Sequence, residues 1–202
     1  MKITVLGCGS IGKLWIAGLT QQAHEVQGWL RIPQPDFDVN VDSINGIPFQ
    51  QRIIANQKTW LQHSELLLVC LKSWQVSDAV NALIPHLSAD CPILLIHNGM
   101  GTLDELTLPE TPTKRAILQG IITHGAYQQD QKVLHTAEGI THIGPLNTTA
   151  RQYGYLAEIL HQALPDVAWH NDIHTISWLK LAVNCVINPL TVFYQCRNGD
   201  LL

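Results

Sequence analysis

Apolar and polar positions divide this chain into short apolar runs separated by turns. Residues 2–6 (KITVL) form a β-branched apolar run that reads as a strand, and residues 13–19 (KLWIAGL) follow with helical spacing. Residues 24–30 alternate as a second strand should, and two prolines close it at 33 and 35. Residues 65–71 and 92–97 are continuous apolar runs, the pattern of parallel strands covered on both faces. Between them, Val76, Ala79, Val80 and Leu83 mark a helix over 75–87.

The remainder is read the same way. The polar stretch 36–58 holds short strands around an Asn45-Gly46 hairpin turn, and 59–63 and 102–106 are single helical turns. Residues 116–122 predict another core strand, broken by Gly125 and Ala126. Residues 132–135 and 139–143 are expected to pair as antiparallel edge strands. A helix over 153–164 uses Leu156, Ile159, Leu160 and Ala163, Pro165 stops it, and 167–169 make a last short strand. Asn171 or Asp172 then caps a long apolar helix beginning at Ile173. Strands alternating with helices predict an α/β fold with a parallel sheet.

The turn after the first strand carries the first chemistry. Gly7-Cys8-Gly9-Ser10-Ile11-Gly12 is G-x-G-x-x-G between a strand and a helix, the context a dinucleotide site requires. Gly7 permits the tight turn, Gly9 the approach of backbone to a pyrophosphate, and Gly12 close packing of helix on strand. The free N–H groups and positive dipole end of that helix favour phosphate. Arg31 stands at the end of the second strand, where an acidic residue would accept from a ribose 2′-OH. An arginine there favours the 2′-phosphate of NADP over NAD. Lys72 and Asn98 follow the two apolar strands, at the carboxyl ends where such sheets bind ligands. Each also has a plain alternative, a solvated strand-end lysine and an Asn-Gly turn residue.

The long helix carries the second. Lys180, Asn184 and Asn188 recur at a spacing of four, a polar stripe on one side of an otherwise apolar segment. An unpaired buried ammonium is costly, so such a lysine needs a polar cleft. There it could polarise a carbonyl and donate a proton, while the asparagines hold a carboxylate or hydroxyl. Alternatively, Lys180 lies on a solvated face, Asn184 is a satisfied core amide, and Asn188 before Pro189 marks a kink.

Bulk properties narrow the classes. The net charge of −4 without a Lys/Arg-rich run argues against nucleic acid or an acidic membrane as partner. Ten histidines raise the question of a metal, but H-E-x-x-H and Cys/His zinc spacings are absent, so no metal site is expected. Five cysteines without C-x-x-C spacing read as reduced, buried thiols. No uninterrupted apolar run approaches 18 residues, and the chain opens directly on its first strand, leaving no room for a signal peptide. A cytoplasmic protein is expected, and the sequence is silent on oligomeric state.

Six segments in order resemble the ketopantoate reductases: KITVLGCGSIG, WLR at 29–31, LLLVCLKSWQVSDAV at 66–80, ILLIHNGMG at 93–101, GITHIGP at 139–145 and WLKLAVNCVINPLT at 178–191. The resemblance implies a Rossmann-like dinucleotide-binding domain over 1–170 and the first helix of an all-helical C-terminal domain over 171–202. It implies NADPH-dependent reduction of a small 2-keto acid, 2-dehydropantoate, to (R)-pantoate in pantothenate and coenzyme A biosynthesis. By matching positions, Lys180 is the general acid, Asn184, Asn188 and Asn198 bind substrate, and Asn98 touches substrate and cofactor. Gly7, Cys8, Gly9, Ser10, Ile11, Gly12, Arg31, Lys72 and Ala126 become NADP contacts. A serine and a glutamate that the family takes from later helices have no counterpart in 202 residues. NADPH binding with poor reduction is therefore expected, and the long helix is expected to show an apolar face. A reductase of a related 2-keto acid, or a non-catalytic NADP(H)-binding module, are the competing readings.

Overall fold

The computed structural model describes residues 1–44, 48–97, 99–108, 115–196 and 198–201, with the side chains of 198 and 199 outside the description. Its centre is a seven-stranded sheet in the order β11-β10-β7-β6-β5-β1-β2. These strands are β1 (Lys2–Leu6), β2 (Glu25–Trp29), β5 (Leu66–Val69), β6 (Ile93–Ile96), β7 (Ile117–Ile122), β10 (Thr141–Pro145) and β11 (Val167–Trp169). From β2 to β7 all neighbours run parallel, while β10 joins β7 antiparallel and carries β11 parallel to itself.

Strand alternation explains why these runs are apolar throughout. Ile3, Val5, Leu66, Leu68, Leu94 and Ile96 face one core with Trp15 and Ile16 of α1 (Ser10–Gln21) and with Leu156 and Leu160 of α4 (Leu156–Ala163). Leu6, Leu67, Val69, Ile93 and Leu95 face the other, against Val76, Val80 and Leu83 of α3 (Ser73–Leu83). Both faces are covered, so an unpartnered polar side chain there is costly. The polar residues of β1 and β2 are bonded. Gln27 donates to Thr4 Oγ1 at 3.0 Å and accepts from the Gln57 amide at 3.1 Å, and Thr4 shares a 2.6 Å hydrogen bond with Ser64.

A second sheet lies across α1, in the order β4-β3-β9-β8. It is built from β3 (Asp36–Asp42), β4 (Pro48–Ile54), β8 (Gly125–Gln129) and β9 (Lys132–Ala137). Val39, Val41, Phe49 and Val133 from this sheet join the α1 core. This corrects the expected edge hairpin of 132–135 with 139–143. β9 pairs antiparallel with β8 and parallel with β3, whereas β10 pairs with β7 of the main sheet. The Asn45-Gly46 turn between β3 and β4 lies outside the described residues. Short helical turns are α2 (Lys58–Leu61), Ile84–His86, Thr102–Glu105, Thr148–Tyr153 and Asn198–Leu201.

The last element, α5 (Ile173–Tyr194), starts where Asp172 accepts from the His174 amide at 3.2 Å and from Thr175 Oγ1 at 2.8 Å. It runs through Pro189, so the Asn188-Pro189 step does not end it. Only Ile173 and Ser177 in its first turns are fully buried. Trp178, Leu179 and Val186 are 61%, 67% and 60% exposed, the apolar face that was expected. By length and composition alone this helix is apolar enough to cross a membrane, although no uninterrupted apolar run in it is long enough.

Candidate functional site

Two cavities open at the carboxyl end of the main sheet. The larger, about 1250 Å³, is a groove above β1, β2 and β5. Its floor is the glycine turn, and it is lined by Gly7, Cys8, Gly9, Ser10 and Ile11, with Arg31, Lys72 and Ala126 around it. Gly12 lies beneath, in the first turn of α1. Gly7 takes φ +93°, a conformation favouring glycine, and a Cβ on Gly12 would stand 2.0 Å from the Gly7 carbonyl oxygen. No heavy atom lies within 4 Å of where a Cβ on Gly9 would be, so the backbone there is open to an approaching group. α1 is twelve residues long and has no side-chain cap at Gly9, which leaves its first N–H groups for an anion. The groove thus fits a dinucleotide pyrophosphate over the turn. Arg31 and Lys72 are the cations on its wall.

Cys8 lies in this turn as a neutral thiol. Burial pushes it up to about 12, against smaller opposing effects from the Trp29 backbone and Lys13. Cys91 is likewise pushed up to about 12, and burial also raises Cys70. All five cysteines are free. Cys91 is buried, Cys8, Cys70 and Cys196 are half-buried, and Cys185 is exposed, so the expectation of buried thiols fails at Cys185.

The second cavity, about 400 Å³, is a cleft between the ends of β6 and β7 and one side of α5. Lys180, Asn184 and Asn188 all line it. The spacing of four therefore converges on one wall, as the helical period requires. Lys180 Nζ donates to the Ile122 carbonyl oxygen at 2.6 Å, and burial lowers its pKa below the usual lysine value. A partly desolvated ammonium held by one acceptor has further N–H donors for a ligand oxygen.

Asn98 lies outside the described residues, and so does the side chain of Asn198, which begins the final helical turn. Three further lining residues carried no sequence signal of their own: His97, Gln119 and Ser177. His97 borders both cavities. Gln119 is a single amide inside the apolar strand β7, and Ser177 donates to the Ile173 carbonyl at 3.0 Å. Among the described residues there is no group of three or more His, Cys, Asp or Glu side chains that could hold a metal.

Comparison with known proteins sets this geometry in a family. The family described as "Ketopantoate reductase PanE/ApbA" matches residues 3–148, and "Ketopantoate reductase PanE/ApbA C terminal" matches residues 172–202. A 2-dehydropantoate 2-reductase of Yersinia pestis is 57% identical over 201 residues, and one of Shigella flexneri is 54% identical over 201. Each match covers 100% of this chain and 65% of the relative, so the chain spans just under two thirds of their length. A 2-dehydropantoate 2-reductase structure from Geobacter metallireducens superposes with a TM-score of 0.81 at 24% identity, over 96% of this chain and 66% of that one. That likeness is one of fold, a Rossmann-like sheet domain followed by helix.

Proposed function

The chain belongs to the ketopantoate reductase family, and from that membership we propose that it binds NADPH and reduces 2-dehydropantoate at its C2 ketone to (R)-pantoate. The observation that carries the reading is the cleft beside the groove. A half-buried lysine and two asparagines line a space of about 400 Å³, and His97 borders it and the dinucleotide groove alike. Residues 1–170 form the NADP-binding unit in this reading, and 171–202 begin the helical unit that completes the substrate site. The enzyme works in the cytoplasm, in the step that supplies pantoate for pantothenate and coenzyme A.

Each residue has a distinct task. Backbone N–H groups at the start of α1 would hold the pyrophosphate, Arg31 would meet the 2′-phosphate, and Lys72 would meet a cofactor phosphate. A reduced nicotinamide bound in the groove would supply a hydride. Lys180 directs an N–H at the keto oxygen, withdraws electron density from C2, and gives that oxygen a proton as the alkoxide forms. Its pKa, lowered by burial, makes it a stronger acid than a free lysine. Asn184 and Asn188, with Asn98 and Asn198, donate to the carboxylate and hydroxyl of the substrate.

The test compares NADPH oxidation by the purified protein on adding 2-dehydropantoate or other small 2-keto acids, and repeats it with Lys180→Ala. We expect preference for 2-dehydropantoate and a loss of roughly 10²–10⁴-fold in kcat for the variant, with NADPH binding kept. An unchanged rate in Lys180→Ala would end the general-acid assignment. NADPH binding without turnover of any keto acid would favour a binding module, and faster turnover of another keto acid would move the substrate.

A further inference from the structure

The groove and the cleft meet at His97, and Gly99 and Met100 beyond it line the cleft. His97 directly follows β6, is only 6% exposed, and borders both cavities. Its Nε2 makes a 3.0 Å hydrogen bond with Thr102 Oγ1, and Thr102 is 7% exposed. From the neighbouring strand β7, Gln119, 6% exposed, lines the cleft and donates from Nε2 to the Gly99 carbonyl oxygen at 3.3 Å. Gly99 in turn sits against α3, where a Cβ on it would stand 3.0 Å from Ser73 Cβ.

These are polar side chains buried beside or within apolar strands: His97 follows β6, which reads ILLI, and Gln119 lies inside β7, which reads ILQGII. Burying an amide or imidazole costs about 1–3 kcal/mol unless it is bonded. An aliphatic side chain would fill the same space without that cost. Both hydrogen bonds go to the connecting segment rather than to another strand. Their polarity therefore serves the placement of the segment, closing it on itself through Thr102 and tying it to β7 through Gly99.

We propose that His97 and Gln119 are positioning residues: His97, held by Thr102, stands where groove and cleft meet, Gln119 holds Gly99 of the cleft wall, and together they set the approach of keto acid to dinucleotide. The inference rests on the reductase reading above. Neither side chain need exchange a proton with substrate; their effect is on alignment, where an error of about 1 Å can cost roughly 10²-fold in rate.

The test uses His97→Leu, His97→Gln and Gln119→Leu in the purified protein, measuring kcat, KM and the dissociation constant of NADPH. Glutamine at 97 can again offer an amide hydrogen bond toward Thr102, whereas leucine cannot. We expect His97→Leu and Gln119→Leu to lower kcat roughly 10- to 100-fold, with NADPH affinity changed far less. His97→Gln should recover most of the rate, and Thr102→Val should add little to His97→Leu because both remove one bond. With turnover intact in the unsubstituted protein, wild-type kcat in both leucine variants would overturn the positioning roles. A parallel loss of kcat, NADPH affinity and thermal stability that His97→Gln fails to restore would overturn them too, as packing alone. No keto-acid turnover in the unsubstituted protein would sink the reductase reading itself, and this inference with it.

Discussion

Lys180 on α5 and the Ile122 carbonyl at the end of β7 are joined by a 2.6 Å hydrogen bond between groups 58 residues apart in sequence. The bond brings the helix wall of the cleft to the edge of the sheet, and it gives the lysine a fixed acceptor. Burial lowers the Lys180 pKa from its usual 10.5. If Lys180 is the proposed general acid it must be protonated, so kcat/KM should hold through neutral pH and fall as pH rises through the lowered value. The alkaline limb should therefore have its midpoint below 10.5. Lys180→Arg, which stays charged over that range, should be slower but lack this limb. A limb that persists unchanged in the arginine variant would assign it to another group.

Arg31 gives a cofactor prediction. It lines the groove at the end of β2. Removing a charge-assisted contact to the 2′-phosphate costs about 1.5–3 kcal/mol, roughly 10- to 150-fold in affinity. Arg31→Ala should weaken NADPH by that factor and leave NADH nearly unchanged, as read by titrating tryptophan fluorescence. Equal weakening of both would remove the 2′-phosphate from Arg31.

Gly12 ties cofactor binding to stability. A methyl group placed 2.0 Å from the Gly7 carbonyl oxygen must push the glycine turn away from α1. Overpacking of this kind costs about 1–3 kcal/mol. Gly12→Ala should lower the thermal midpoint by several degrees, about 2–4 °C per kcal/mol for a chain this size, and reduce NADPH affinity with it. Unchanged melting together with unchanged binding would show that the turn yields freely.

Acid should destabilise the fold through histidines. Burial lowers His124 first of all, with His135 beside it adding to the effect. His142 is lowered by burial and then by His170 and Lys180. Each pair is hydrogen-bonded, at 3.1 Å for His124 with His135 and 2.9 Å for His142 with His170. A histidine whose folded pKa is depressed contributes stability that is present above the unfolded value of 6.5 and lost as pH falls through the folded one. Urea midpoints should therefore decline on acidification below that value. His142→Asn should flatten part of the decline; an identical slope would exclude His142 from it.

Much of this was legible in the sequence where the signal is local. The glycine turn, Arg31, Lys72 and Ala126 do share one groove, and the four-residue spacing of Lys180, Asn184 and Asn188 does reach one cleft. What failed depends on distant pairing. The β10 strand sits close to β9 in sequence yet is inserted between β7 and β11, with Thr141 opposite Ile122 and Val167. Nothing in GITHIGP encodes that choice. Gln119 was missed for a related reason. In sequence it looks like Gln27, one amide in an apolar strand, and Gln27 is a core residue bonded to Thr4 and Gln57. Only the partner distinguishes a structural amide from one that faces a cleft.

The regularity of α5 makes it a ruler. With a rise of about 1.5 Å per residue, Asn184 and Asn188 stand roughly 6 Å and 12 Å beyond Lys180 along the axis, each rotated by about 40° from the last. Donors set at such intervals cannot crowd onto one atom; they grade a ligand by its length. A short ligand would reach from the lysine to the first amide, and a longer one would have to follow the winding of the stripe. Inserting or deleting one residue between Lys180 and Asn184 would therefore leave every donor in place chemically while turning those beyond it by about 100°, away from the cleft.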